Sequence, residues 1–273
     1  MKKNNKLVLL ICTAAGAIFC LTSCYTTGPD TGMVSESRQK ENLYYIPASP
    51  NIPLLTKKND LSLNAAASSG SKFNGTEIQA AWLPWKHIGI CGSFSAVKTG
   101  SLTYGYNATK YNRVEVGSGY VTQLSKGWHF ETYAGIGNGK ILNTHYTGTS
   151  KTNITHFFLQ PTIAISSKKQ TIQFAMSSRF AGVNFKVQDT LFATGSEPLS
   201  ASNLISLYDK PFHILWEPAV TFRFGWKNFL FNAQYTISSD LTNPDLNRAN
   251  HNFSLGATFR FNTGEKTATQ KPE

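Results

Sequence analysis

Charge at alternating positions is the first chemistry this chain offers. Glu77, Glu115, Glu131 and Glu217, with Arg113, Arg179, Arg223 and Arg260, occupy the polar face of segments whose other face is apolar. Gln79, Gln160, Gln173, Gln234 and His156 fall on that same face. In a low-dielectric interior these charges must pair, because an isolated buried charge is costly. Three kinds of work are open to them: a salt-bridge network filling an interior, the lining of a small selective pore, or a ligand site at its mouth. Catalysis asks for more, namely paired carboxylates or a histidine within reach of a serine or aspartate. His145, Asp189, Asp209, Asp240, Asp245 and His251 fall between segments, where a rim hydrolase would carry its catalytic groups, but they are scattered. Turn and capping roles suit them better, so no catalytic residue is assigned and the reading is non-enzymatic. The six histidines are too isolated from one another for metal-ligand spacing. Gly135-Ile136-Gly137-Asn138-Gly139 lacks the helix that follows a phosphate loop, and alternate glycines in a strand more often give space or curvature. No metal or cofactor is expected.

The elements that must position these groups are strands. From about residue 60 the chain alternates with period two, apolar against polar or small. About ten such runs cover 61–68, 76–83, 87–97, 111–124, 127–141, 152–166, 170–186, 211–225, 228–238 and 251–262. Most match or exceed the roughly 9–11 residues that a tilted strand needs to cross a bilayer. Short connections (84–86, 125–126, 167–169, 226–227) alternate with long ones (69–75, 98–110, 142–151, 187–210, 239–250). Outer-membrane barrels carry short periplasmic turns and longer outer loops. Only 15% of residues are charged and 12% are aromatic, against about a quarter charged in an ordinary soluble domain. Trp82, Trp128, Trp216, Phe224 and Phe261 are candidates for interfacial girdles. The fold expected is all-β: a transmembrane antiparallel up-and-down barrel of about ten strands, apolar outside and charged within. A soluble, lipocalin-like barrel is the alternative, with its apolar face inside. The small lumen positions Ala66, Gly89, Gly117, Gly119, Gly135 and Gly137 leave space that arginines are expected to fill.

The N-terminus carries a different message. Lys2, Lys3 and Lys6 precede the apolar run 7–21, which is too short and one-sided for a spanning helix and reads as a secretory signal. Leu21-Thr22-Ser23-Cys24 closes it and resembles a bacterial lipobox. That resemblance implies cleavage after residue 23, a diacylglycerol thioether on Cys24 and an acylated (palmitate-type) amino group, a multi-chain anchor that holds stably. Cys12 and Cys20 leave with the signal, so Cys91 remains as a lone packing thiol. The net charge falls from +11 to +8 with the three lysines removed. In an exported barrel this charge suits anionic lipid headgroups, and nucleic acid is not an expected partner. Residues 1–23 are thus signal, 24–59 a lipidated tether, 60–262 the barrel and 263–273 a polar tail. An even strand count and an inner-leaflet anchor together place the tether in the periplasm. Tyr44, Tyr45, Ile46, Ile52, Leu54 and Leu55 are too apolar for a free linker, and are expected to dock at the barrel's near end or plug its mouth.

Tyr44-Tyr45-Ile46-Pro47, followed by Asn51-Ile52-Pro53-Leu54-Leu55-Thr56-Lys57-Lys58-Asn59-Asp60, resembles a segment of outer-membrane barrel lipoproteins of Bacteroidota. There it lies between the lipidated cysteine and the first strand. The resemblance implies a location and a fold but no activity and no functional residues. The sequence therefore points to an outer-membrane interaction protein, either a binder of surface ligands or a subunit of a larger complex. Its loops and tether are the contact surfaces, notably the tyrosines around 104–111 and the apolar stretch 187–210. A small passive channel is the alternative function.

Overall fold

A computed structural model describes residues 43–70, 73–99, 108–145, 148–192, 209–226, 228–242 and 246–262, together with Leu207. The signal, Cys24, Tyr104, Tyr106, Asp245 and the polar tail lie outside the described residues. Eleven strand segments are present among those described: β1 (Asp60–Ser69), β2 (Phe73–Trp82), β3 (Ile88–Thr99), β4 (Ala108–Ser125), β5 (Trp128–His145), β6 (Gly148–Ser166), β7 (Ile172–Phe192), β8 (Phe212–Gly225), β9 (Phe229–Ile237), β10 (Ser239–Asp240) and β11 (His251–Asn262). β9 and β10 form one stave interrupted at Ser238, and both pair with β8. β1 pairs with β11 and β11 with β9, so ten antiparallel staves close into a ring. Closure leaves no unpaired edge, which is what a sheet surrounded by lipid requires. Among the described residues no helix is long and apolar enough to cross a membrane.

Two of the connections expected to be long are short. β1 and β2 are joined through 70–72, and β5 and β6 through 146–147. The strands continue where most outward residues turn polar: Asn138, Lys140 and Thr144 on β5, with Leu142 the exception, and Thr155, Asn153 and Lys151 on β6. β7 likewise runs on to Phe192. The long connections at that end are 100–107, 193–211 and 241–250; the opposite end carries only 83–87, 126–127, 167–171 and 226–228.

β7 shows how the barrel is divided. From Ile172 to Phe180 its outward residues are Ile172, Phe174, Met176, Ser178 and Phe180, and its inward ones Gln173, Ala175, Ser177 and Arg179. From Ala181 onward the faces exchange character. Val183 and Phe185 point in and are buried, while Asn184 and Lys186 point out and are exposed, as is Asp189 opposite Lys151 beyond a bulge. The first part is a membrane band of about the height one bilayer needs. The second is a collar that stands in water, folded as a soluble barrel. Trp82, Trp128, Phe224 and Phe261 sit near the turn end of the band, and Trp216, paired with Phe180, sits near its collar boundary. The bands of both faces thus place the polypeptide across a membrane and exclude the lipocalin-like alternative.

Candidate functional site

The lumen is occupied by the chain's own tether. Residues 43–55 run inside the barrel from the collar to the turn end. Tyr44, Tyr45 and Ile52 are fully buried, and Leu43, Ile46, Leu54 and Leu55 nearly so. At the collar, the Leu43 amide donates to Thr109 Oγ1 (3.2 Å) and the Tyr44 amide to the Asn247 carbonyl (2.8 Å). Tyr45 bridges Arg248, and its carbonyl accepts from the Ala249 amide (2.9 Å). At the other end Asp60 Oδ2 accepts from the amides of Thr56 (3.0 Å) and Lys57 (2.7 Å), closing the turn that feeds β1. The expected plug is thus real, but it fills the lumen's length rather than its mouth. The described part of the tether is luminal and not periplasmic, because its apolar side chains find their burial inside the barrel.

A chain held in this way must satisfy its backbone without a sheet. Pro47, Pro50 and Pro53 remove three donors and favour extension. Lumen side chains supply partners for much of the remainder. Asn252 Nδ2 donates to the Pro47 carbonyl (3.0 Å), Gln79 Nε2 to Ser49 (2.7 Å), Gln234 Nε2 to Pro50 (3.0 Å) and Gln160 Nε2 to Asn51 (2.8 Å). The Arg260 guanidinium donates to the Leu54 carbonyl. Carboxylates take the amides: Ser49 N–H donates to Glu77 (3.2 Å) and Leu55 N–H to Glu131 (2.9 Å). Leu54 holds a left-handed φ of 52°, strain of order 1–2 kcal/mol that this grip from both sides sustains.

The eight charges expected to line the lumen are all buried there, but they do not form one network. Four pair with one another. Arg179 forks onto Glu115 (2.6 and 3.0 Å) and its Nε lies 3.5 Å from Glu217 Oε2. Arg113 Nε is 3.3 Å from Glu115. His156 Nε2 stands 2.8 Å from the same carboxylate, and Arg179 lies over the Phe158 ring. Tyr45 ties the plug in, donating to Glu217 (2.9 Å) and accepting from Arg113 (3.0 Å). Glu77, Glu131 and Arg260 instead grip the plug, so mutual pairing of all eight is corrected. Arg223 lies beside Asn232 and Gln173 in the wall. Burial pushes the phenol of the neighbouring Tyr44 up to about 12, leaving it neutral.

The space beside the small residues is filled by rings rather than by arginines alone. Tyr133 covers Gly89 and Gly119, Phe158 covers Gly117 and Gly135, and His156 covers Gly137, where an added Cβ would lie 2.4 Å from the ring. A cavity of about 10 Å³ beside Asn51, Cys91 and Gln160 has room for about one water. The motif 44–60 that carried the family resemblance is the plug itself. That it would be read by the glutamines of the polar face had no local signal in the sequence.

The described rim candidates do not converge. Asp189 is exposed, 4.0 Å from Lys151, and Asp209 is exposed. Asp240 sits with His213 Nδ1 at 2.6 Å and accepts from Thr242, while the second nitrogen of His213 lies 3.0 Å from the Lys210 carbonyl. His251 stacks on Tyr235. The side chain of His145 lies outside the described set. Among the described residues no three potential ligands gather for a metal.

Neither a protein-family model nor a curated protein sequence matches the chain. Solved structures with similar coordinates are barrels at low identity. The translocator domain of the autotransporter NalP from Neisseria meningitidis is 8% identical, with 74% of this chain and 88% of that one covered and a TM-score of 0.46. The outer-membrane protein Ail of Yersinia pestis is 14% identical over 75% and 100%, with a TM-score of 0.34. The NanC porin is 13% identical over 73% and 98%, with a TM-score of 0.33. These likenesses concern the fold alone.

Proposed function

We propose that this is a non-enzymatic outer-membrane lipoprotein that engages a partner through its collar and the connections at that end. The observation that carries the reading is the filled lumen. A segment buried along the whole barrel and bonded to opposite walls leaves no conduit, so what the protein offers its surroundings is the surface beyond the bilayer. A collar built on strands of 18 to 21 residues, far longer than spanning requires, supports an interaction role over a passive channel. Lipid attachment at Cys24 belongs to the same reading.

The test is a gentle pull-down of C-terminally tagged protein from native outer membranes. A stoichiometric partner is expected, lost when 193–206 is replaced by a Gly-Ser linker of equal length. Recovery of the barrel alone from both proteins would overturn the reading. Purified wild type should be silent in planar bilayers, and deletion of 43–55 should produce conductance steps. Steps from the wild type would establish the channel instead.

A further inference from the structure

The direction of the plug bears on which side of the membrane the N-terminal segment occupies. The strand that follows it, β1, starts at the turn end, where Asp60 pairs with Asn262. An anchor on a tether docked at that end would lie on the turn side. The plug, however, enters at the collar. Leu43 and Tyr44 bond to Thr109 and Asn247, residues beside and within the long connections, and the chain meets the turn end only at Thr56. The lumen is filled behind it, so no path returns through the barrel. The collar projects into water and carries the long connections, which is the polarity of the outer face in such barrels.

We propose that the chain is threaded through its own barrel, so that the polypeptide ahead of Leu43 is presented on the outer side of the membrane. This rests on the outer-membrane reading given above. An acyl anchor on Cys24 then has the outer leaflet as its lipid surface, not the inner one. The geometry permits it. Nineteen peptide steps separate Cys24 from Leu43, a reach of about 60 Å when extended. The collar strand 181–192 stands about 30 Å high at the usual tilt.

Single cysteines placed in a Cys91→Ala background test the threading in intact cells with a membrane-impermeant maleimide. Thr190→Cys reports the collar, Lys126→Cys the turn end and Lys40→Cys the entry of the plug. Lys40→Cys and Thr190→Cys are expected to label fully in intact cells, with Lys126→Cys labelling at least tenfold less until the cells are lysed. Labelling of Lys40→Cys only after lysis, with Thr190→Cys open from outside, would overturn the threading while leaving the barrel's polarity intact. If Thr190→Cys were the protected position and Lys126→Cys the open one, the polarity behind the proposed function would fail, and the outer placement with it. A folded barrel in each variant is confirmed by heat-modifiable migration in gels.

Discussion

The membrane band and the collar are built from the same strands and obey opposite rules. In the band, Phe157, Leu159 and Ile163 of β6 face lipid while Gln160 and Thr162 face the lumen. In the collar, Lys151, Asn153 and Thr155 face water while Ile154 faces inward, with Tyr111, Ile141, Val183 and Phe185 in the same core. Across the boundary between band and collar the period of two is kept; what changes is the solvent on the outside. The plug follows the exchange. Its Leu43, Tyr44, Tyr45 and Ile46 join the apolar core of the collar, whereas 47–55 passes through the band held mainly by polar side chains. One segment thus serves as hydrophobic core at one level and as hydrogen-bonded ligand at the next.

The sharpest way to break this division is at its boundary. Arg179 holds Glu115 and Glu217 together just below the inversion, at 1% exposure. Arg179→Ala leaves two buried carboxylates without their shared cation and should cost about 3–5 kcal/mol, read as a shift in the urea midpoint of unfolding from micelles. Arg179→Met should cost less than Arg179→Ala if packing over Phe158 matters beside charge. A midpoint unchanged in both would remove the network from the account. Next in size is Met176→Lys, on the lipid face of the band. A lysine at that depth should cost about 2–4 kcal/mol, and the loss should shrink for the same change made at Gln188 in the collar.

The fold was legible because its signal is local. Alternation, aromatic ends and turn residues are all read within one strand, and they located every stave of the barrel. The collar was misread where its outward residues turned polar: 142–151 and 187–192 look like loops when apolar alternation is the only criterion, although Thr149, Thr190 and Val187 suit a strand. The lumen was legible as a list and not as a set of contacts. Arg113 and Glu115 sit two apart on β4, yet Glu115 and Arg179 meet across the barrel. Gln79, Gln160 and Gln234 gave no hint of their partner, because it is a backbone that any sequence could present.

The plug's polar grip predicts a smaller effect. Gln234 Nε2 is bonded to the Pro50 carbonyl inside the band. Gln234→Ala leaves that carbonyl buried without its donor and should cost about 1–3 kcal/mol. The same loss should increase protease access to 43–58 in the purified barrel. Gln234→Glu should be as harmful, since a carboxylate cannot donate there. Stability indifferent to both would mean that the plug is held by its collar residues alone.

The smallest expected effect is the most discriminating for the comparison. Lys186 projects outward from the collar portion of β7, five residues past Ala181, where the faces exchange. If that surface meets water, Lys186→Leu removes an exposed charge that touches little, and stability should move by no more than about 0.5 kcal/mol. If the bilayer reached this height instead, the lysine would already be a lipid-facing cost of the kind Met176→Lys introduces, and its removal would stabilise by a comparable amount, about 2–4 kcal/mol. Measuring both variants in bilayers of two thicknesses separates the cases further. A thicker bilayer should enlarge the difference at Lys186 and leave that at Met176, so the depth at which the two responses cross locates the boundary between band and collar.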